Sequence, residues 1–260
     1  MTSKVAVVTG GSRGIGRACA VALAEAGWTV AIGYRSNEQD AKETLEALAA
    51  TGTEGLAVSL DVTDEASITE AFRRVADEAG HVTGLVNNAG YSKDGLLLRY
   101  PMDVYQQTMD VNLRGAFLCA SAALRGMLRE KWGRIVNVSS AVALHGNPGQ
   151  TVYAATKAGL VGMTKSLARE VAPKGVTVNA ICPGAIQTRL RANSARILGD
   201  DAPPMTGGVG GSEDAIRAVT PAGRRGTLAE VAAAAAYLAS EEAAYVTGQT
   251  LVIDGGWTAA

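Results

Sequence analysis

The amino-acid sequence predicts an α/β protein built on a doubly wound, mostly parallel sheet of seven strands with helices on both faces. Seven short runs of apolar and β-branched residues alternate with longer amphipathic segments, as parallel strands joined by helical crossovers do. Several of these runs are apolar throughout, which indicates strands covered on both faces. The predicted strands are Val5–Thr9, Thr29–Gly33, Leu56–Leu60, Thr83–Asn87, Arg134–Ser139, Thr177–Ile181 and Thr250–Ile253.

The segments between the strands carry apolar residues at helical spacing. The predicted helices include Ile15–Ala26, Ala41–Ala50, Ala66–Ala79, Val152–Val171 and Leu228–Ala239. No linker or internal repeat divides the 260 residues, so residues 1–260 are expected to form a single domain. The irregular stretch from Leu198 to Ser212 is too long for an ordinary connection. It is either part of a substrate lid at about residues 186–222 or a passive surface insertion.

Composition excludes several classes of function. The formal net charge of −1 offers no general attraction to nucleic acid or to an anionic membrane. Cys19, Cys119 and Cys182 form no CxxC pair and no secretory signal precedes them, which favours a reducing, cytoplasmic setting. No run approaches the ~18 apolar residues of a membrane span. His81 and His145 lack metal-ligand spacing, so no metal site is expected.

A glycine-rich turn follows the first predicted strand. The stretch Thr9-Gly10-Gly11-Ser12-Arg13-Gly14-Ile15-Gly16 leads directly into a predicted helix. Glycines allow a tight turn and a close backbone approach, and the free N–H groups of a helix N-terminus attract a pyrophosphate. The spacing differs from the common GxGxxG fingerprint, but its place in a βαβ unit favours a dinucleotide site.

The end of the second strand indicates which dinucleotide binds. Residues 32–37 contain no carboxylate to hold a ribose 2′-hydroxyl, whereas Arg35 and Arg13 can converge on a 2′-phosphate with help from Ser36. This pattern favours NADP over NAD. Asp61, at the end of the third strand, either accepts a hydrogen bond from the adenine amino group or caps the helix that starts near Asp64.

Tyr153 and Lys157 are the strongest candidates for proton transfer. They lie four residues apart at the start of a predicted helix and therefore share one face. A nearby ammonium favours the phenolate and makes tyrosine a usable proton donor to a carbonyl. Ser140 follows the fifth strand at the same edge of the sheet and can polarise the substrate oxygen. Asn112 falls in a helical segment, where Asn is unfavourable; it either holds a water that relays protons to Lys157 or packs there for structural reasons.

The order and spacing of these motifs, together with Asn87-Asn88-Ala89-Gly90 and Pro183-Gly184, resemble the short-chain dehydrogenase/reductase family across nearly the whole chain. The resemblance implies a Rossmann-type fold, catalysis by Asn112, Ser140, Tyr153 and Lys157, and a homotetramer. The motifs and the resemblance together give the following expected NADP(H)-binding residues: Gly10, Ser12, Arg13, Gly14, Ile15, Gly16, Tyr34, Arg35, Ser36, Asp61, Val62, Asn88, Ala89, Gly90, Tyr153, Lys157, Pro183, Gly184, Ile186 and Thr188.

Three stretches are most similar to the 3-oxoacyl-[acyl-carrier-protein] reductases within that family: 146–153, 165–171 and 242–248. The likeness implies NADPH-dependent reduction of a 3-oxoacyl thioester, carried by acyl carrier protein or CoA, with Ser140, Gln150 and Tyr153 at the substrate. It also implies that Lys131 and Lys174 dock the carrier protein beside the active site.

Two other functions remain as alternatives. A related enzyme of this family can act on another ketone or alcohol, such as a polyketide, a sugar or a steroid. A non-catalytic dinucleotide sensor is disfavoured because both Tyr153 and Lys157 are present.

Overall fold

A computed structural model describes residues 4–187 and 213–259. Its seven strands pair in parallel throughout, in the order β3-β2-β1-β4-β5-β6-β7. The strands are β1 Val5–Thr9, β2 Thr29–Tyr34, β3 Leu56–Ser59, β4 Val82–Asn87, β5 Gly133–Val138, β6 Val176–Pro183 and β7 Thr250–Ile253. The predicted doubly wound sheet is confirmed. Its strand order reverses between β1 and β4, which opens a crevice at the carboxyl ends of the strands.

The helices of the described ranges connect successive strands. They are α1 Gly14–Glu25, α2 Glu38–Ala49, α3 Glu65–Ala79, α4 Met102–Met109, α5 Gly115–Glu130, α6 Val142–His145, α7 Thr151–Val171, α8 Glu213–Val219 and α9 Leu228–Ala239. A π-helical turn, Asp110–Arg114, joins α4 to α5. None of these helices has both the length and the apolar character needed to cross a bilayer.

Both faces of the sheet are covered, as predicted. On one face α3, α5 and α7 pack around residues such as Phe72 and Met127. On the other face α1, α2 and α9 pack around Trp28, Leu48 and Leu238. Each of these side chains is at least nine-tenths buried, and full burial of a large apolar side chain stabilises the fold by about 1.5–3 kcal/mol.

A buried polar chain ties β4, β5 and α7 together. The side-chain amide of Asn87 donates to Asn137 Oδ1 over 2.9 Å, and the amide of Asn137 donates to Thr164 Oγ1 over 2.8 Å. All three side chains are buried, where hydrogen bonds between polar groups are costly to break. The network therefore fixes the relative positions of the three elements that lead into the crevice.

Small differences from the predicted elements occur at their ends. β6 runs on to Pro183, beyond the predicted end at Ile181, because Pro183 still pairs with Ile253 at the edge of the sheet. The predicted lid at about residues 186–222 lies largely outside the described residues. Of this range only 186–187 and 213–222 are described.

Candidate active site

The glycine-rich turn after β1 packs directly against the end of β4. Gly10 has φ +60°, and a Cβ at this position would lie 3.1 Å from the Cα of Ala89. A Cβ at Gly16 would overlap the carbonyl oxygen of Gly10 and lie 2.5 Å from Asn88 Nδ2. No larger residue fits at either position without moving backbone, so the turn depends on these two glycines.

Thr9 and Asn88 hold this turn in place. Thr9 Oγ1 accepts hydrogen bonds from the backbone N–H groups of Asn88 and Ala89, at 3.0 and 2.9 Å. In return, the side-chain amide of Asn88 donates to the carbonyls of Thr9 and Gly10, at 2.9 and 3.0 Å. The side chain of Asn88, a predicted cofactor residue, therefore shapes the loop.

Arg17 supports the same loop from α1, and sequence reasoning missed it. Its guanidinium donates to the Ser12 carbonyl at 3.1 and 2.9 Å, to the Asp40 carbonyl at 3.0 Å and to Glu43 Oε2 at 3.1 Å. The available signal was its place one helical turn after Arg13, where i, i+4 neighbours share a face. Arg17 thus links the turn to α2.

The glycine-rich turn and the residue that follows β2 each supply a basic side chain. Arg13 and Arg35 are both exposed and line the crevice with Ser36. The nearest carboxylate to Arg13 is that of Asp40, 3.9 Å from its guanidinium, while 60% of the Arg13 side chain remains exposed. A pair this long and this exposed is weak, so Arg13 keeps the capacity to bind an anion.

Asp61 does not cap a helix. The carboxylate of Asp64 caps α3 by accepting from the N–H of Ala66. The carboxylate of Asp61 instead accepts from the N–H and the hydroxyl of Thr63, at 2.9 and 2.7 Å. Burial raises its pKa, but these two hydrogen bonds and the charge of Arg35 outweigh burial and keep the pKa of Asp61 below its ordinary value. An ionised acceptor therefore lines the crevice.

Lys157 is almost completely buried, with 3% exposure. Its Nζ donates to the carbonyl of Val138 over 2.8 Å, and Ser139 Oγ donates to the Lys157 carbonyl over 2.7 Å. Burial lowers the pKa of the ammonium from 10.5 to about 8, with Cys182 acting in the opposite direction. The Nζ lies 5.7 Å from the centre of the Tyr153 ring, so α7 brings the two side chains together.

Ser140 lies just beyond β5 and before α6. The backbone N–H groups of Ser139 and Ala141 donate to β6 carbonyls, at 2.8 and 3.0 Å. The Ser140 hydroxyl accepts from the N–H of Val142 at 3.3 Å and lines the same crevice as Tyr153. The hydroxyl is thus fixed at the carboxyl edge of the sheet.

Asn112 occupies the π-helical turn and is 1% exposed. Its Oδ1 accepts from the Tyr91 N–H at 2.7 Å, and its Nδ2 donates to the Tyr91 carbonyl at 2.9 Å and to Thr156 Oγ1 at 3.1 Å. A Cβ on Gly90 would lie 3.7 Å from Asn112 Oδ1 and 3.8 Å from Lys157 Nζ. Asn112 and Lys157 therefore flank one small space. π-Turns are common at functional sites.

One cleft of about 1670 Å³ unites most of the predicted site residues. Its lining includes Gly10, Ser12, Arg13, Gly14, Ile15, Tyr34, Arg35, Ser36, Asp61, Val62, Asn88, Ala89, Gly90, Ser140, Tyr153, Lys157, Pro183, Gly184 and Ile186. Gly16 and Asn112 are buried and do not line the cleft. Thr188 lies outside the described residues. The lining also contains Tyr91, Ser92, Lys93 and Trp257, which sequence reasoning did not identify.

Gln150 was predicted to contact substrate, but its side chain is turned away from the cleft lining. It is 1% exposed. Its amide nitrogen donates to Asp94 Oδ1 at 3.0 Å, and its amide oxygen accepts from Asn147 Nδ2 at 2.8 Å. The geometry gives Gln150 protein partners at both ends of its amide.

Lys131 and Lys174 lie at the amino ends of the strands, whereas the cleft lies at the carboxyl ends. Lys131 ends α5 just before β5, and Lys174 ends a short 3₁₀ turn just before β6. The two turns are neighbours, because a Cβ on Gly175 would overlap the Lys131 carbonyl oxygen. Ser140 and Tyr153 follow the carboxyl ends of the strands, so within one subunit the lysines are not beside the active site, contrary to the expectation.

A family model described as enoyl-(acyl carrier protein) reductase matches residues 10–258. The chain is 44% identical over 256 residues to the 3-oxoacyl-[acyl-carrier-protein] reductase of Vibrio cholerae, covering 98% of both chains. The corresponding protein of Escherichia coli is 44% identical over 253 residues, covering 97% of this chain and 96% of the relative.

Two solved structures share the fold over almost the whole chain. A mutant short-chain dehydrogenase/reductase from Serratia marcescens matches with a TM-score of 0.87 at 34% identity, covering 98% of each chain. This chain belongs to the short-chain dehydrogenase/reductase family. A second structure, a blue fluorescent protein from a metagenomic library in complex with NADPH, matches with a TM-score of 0.85 at 36% identity, covering 98% of this chain and 97% of that one.

Because Lys157 is buried, we expect the free energy of unfolding of the protein to depend on pH. The pKa of Lys157 is lowered from 10.5 to about 8 in the folded state, so between these pH values the unfolded chain binds more protons and the free energy of unfolding rises with pH. Relative to Lys157→Met, the wild-type protein should gain up to about 3 kcal/mol between pH 7 and 10.5. Chemical denaturation of both proteins across this range measures the difference.

Lys165→Met, which removes an exposed lysine from the same helix, is the control and should follow the wild type. Parallel stability curves for the wild type and Lys157→Met would show that Lys157 does not titrate in this range.

Proposed function

We propose that this enzyme uses NADPH to reduce a 3-oxoacyl thioester, bound to acyl carrier protein or CoA, to the 3-hydroxyacyl thioester. The observation that carries the proposal is the placement of Tyr153 and Ser140, with Lys157 behind them, in the same cleft as the glycine-rich turn. Relatives at 44% identity that bear the name 3-oxoacyl-[acyl-carrier-protein] reductase support the choice of substrate. The alternative is a related reductase or dehydrogenase that acts on a polyketide, sugar or steroid.

Three features of the chain fit NADPH. The cleft is about 1670 Å³ in volume and runs from the basic end of β2 to Tyr153. The glycine positions leave room for a pyrophosphate against backbone N–H groups at the start of α1. Arg13, Arg35 and Ser36 supply two guanidinium groups and a hydroxyl for a 2′-phosphate.

The proposed proton chemistry follows from the positions of the side chains. When bound, NADPH supplies a hydride to the carbonyl carbon. Ser140 Oγ and the Tyr153 hydroxyl donate hydrogen bonds to the substrate oxygen, where negative charge develops. Tyr153 then transfers its proton to that oxygen. Lys157, buried and one helical turn away, favours the phenolate that remains.

Asn112 and Lys157 are proposed to return the proton to Tyr153. The two side chains flank the space beside Gly90, which suits a bridging water with polar partners on both sides. The hydrogen bonds of Asn112 to Tyr91 and Thr156 hold its amide in this orientation. We also propose that Lys157 hydrogen-bonds the nicotinamide ribose.

The assembly and cellular setting belong to the same proposal. We propose a single domain, a homotetramer and a cytoplasmic enzyme. Met109, Leu113, Phe117 and Met163 line a shallow groove of about 500 Å³ beside α5 and α7, and Phe117 is 60% exposed. An exposed apolar groove of this kind suits a contact between subunits. The three cysteines are buried and free, which suits a reducing compartment.

Lys131 and Lys174 can still dock acyl carrier protein if the docked carrier serves a neighbouring subunit. Within one subunit they lie at the amino ends of β5 and β6, across the sheet from Tyr153. Two adjacent cationic side chains suit an acidic partner. We propose that, in a tetramer, the amino ends of β5 and β6 of one subunit lie near the cleft of another subunit.

A substrate panel tests the proposed reaction. With NADPH, the value of kcat/KM should be higher for acetoacetyl and longer 3-oxoacyl thioesters than for enoyl thioesters, simple ketones, sugars or steroids. Tyr153→Phe should lower kcat about 10²–10⁴-fold by removing the proton donor, while NADPH affinity stays near that of the wild type. Steady-state kinetics and fluorescence titration measure these quantities.

Tyr237→Phe, on the exposed side of α9, is the matched control and should retain full activity. Preferential turnover of a non-thioester ketone would favour the alternative function. Substantial activity in Tyr153→Phe would refute the catalytic assignment.

The cofactor preference is tested at the end of β2. Arg35→Asp should raise the Kd of NADPH by about 10²-fold, because a charge-assisted contact is replaced by repulsion, and should change the Kd of NADH by less than about threefold. Arg73→Asp makes the same charge change on the exposed face of α3 and should leave both values unchanged. Equal affinity of the wild type for the two cofactors would overturn the preference.

The proposed role of Lys131 and Lys174 in docking acyl carrier protein is tested by reversing their charge. The double substitution Lys131→Glu and Lys174→Glu should raise KM for an acyl-carrier-protein substrate by about tenfold, because two attractive charges become repulsive. KM for a small N-acetylcysteamine thioester should not change. Lys165→Glu serves as the control. An equal effect on both substrates would contradict docking at Lys131 and Lys174.

A further inference from the structure

Asp94 is a buried carboxylate between the cleft wall and the start of α7. Its exposure is 1%, and its Oδ1 accepts hydrogen bonds from Ser92 Oγ at 3.1 Å and from Gln150 Nε2 at 3.0 Å. Its Oδ2 is also buried and has no hydrogen-bond partner among the described residues. Buried carboxylates are rare because burial costs free energy, so this arrangement calls for a role.

Gln150 connects Asp94 to the helix that carries Tyr153. The Gln150 amide oxygen accepts from Asn147 Nδ2 at 2.8 Å, so its orientation is fixed with the nitrogen toward Asp94. The Gln150 carbonyl accepts from the N–H of Ala154 at 2.7 Å, in the first turn of α7. Tyr153 is only three residues beyond Gln150, and a shift of Gln150 is therefore transmitted to it.

A backbone contact lies alongside the side-chain contact. The N–H of Gly95 donates to the carbonyl of Gly149 over 2.8 Å. The segment that contains Asp94 also forms cleft lining at Tyr91, Ser92 and Lys93. Residues 91–95 thus form part of the cleft wall and are joined to the segment that leads into α7, which carries Tyr153.

We infer that Asp94 and Gln150 are a positioning pair, which holds residues 91–95 against the start of α7 and so sets Tyr153 relative to the bound substrate. Gln150 acts through Asp94 and not by contact with substrate. The hydrogen bonds that Asp94 Oδ1 accepts from Ser92 and Gln150 suit this role, because they join residues 91–95 to the segment that leads into α7. The inference deepens the proposed function and rests on it for the role of Tyr153 as proton donor and for the choice of assay substrate.

A reciprocal exchange tests the pair. Gln150→Glu places two carboxylates together and should lower kcat at least about tenfold, with the NADPH Kd within about twofold of the wild type. The double variant Asp94→Asn/Gln150→Glu restores one amide facing one carboxylate, and the carboxylate introduced at position 150 can still accept from Asn147. The kcat of this double variant should return to within about threefold of the wild-type value.

Gln249→Glu makes the same chemical change at an exposed site before β7, where the amide donates to the Thr247 carbonyl, and should leave all parameters unchanged. Thermal unfolding of every variant separates loss of folded protein from loss of kcat. If Gln150→Glu does not fold, the double variant decides alone: a folded, active protein supports the pair and an inactive one overturns it.

Two further results overturn the inference. One is an unchanged kcat in Gln150→Glu. The other is a rise confined to substrate KM that the double variant does not reverse, since this outcome makes Gln150 a direct substrate contact. If the wild type does not reduce 3-oxoacyl thioesters, the proposed function fails, and the same exchange is then measured with the ketone that the wild type reduces best.

Discussion

The hydrogen bond from the Lys157 ammonium to the carbonyl of Val138, 2.8 Å long, joins α7 to the carboxyl end of β5. Val138 is the last residue of β5, and Ser140 follows it by two residues. One contact therefore fixes the distance between the segment that carries the Ser140 hydroxyl and the helix that carries Tyr153. Lys157 is buried, so its ammonium group is shielded from water. The electrostatic effect of this ammonium on Tyr153 is therefore larger than it would be at the surface.

The rest of the site is supported by backbone acceptors and buried amides. Asn88 and Arg17 donate to carbonyl groups of the glycine-rich turn, while Asn112 holds the backbone of Tyr91 from both sides. These residues work by orienting neighbours. The cleft thus owes its shape to polar side chains that satisfy backbone groups in places where secondary structure ends.

Local patterns in the chain were enough for much of this protein. The strands, the glycine-rich turn and the pairing of Tyr153 with Lys157 all depend on residues close together in sequence, so periodicity and spacing predicted them. The edge on which Lys131 and Lys174 lie could also have been deduced, since both precede strands whose carboxyl ends form the site. The family resemblance implies that Lys131 and Lys174 lie beside the active site, whereas strand polarity places them at the amino ends of β5 and β6.

The sheet, its helices and the chemical groups available for proton transfer could be predicted from the amino-acid sequence alone, because each follows from short-range spacing and side-chain type. The folded chain was needed to show that Val138 accepts from Lys157 and that the Gln150 side chain contacts Asp94. Backbone acceptors carry no sequence signal, since every residue has a carbonyl. A contact between residues 56 positions apart depends on how two loops meet above the sheet, and strand order and packing set that meeting.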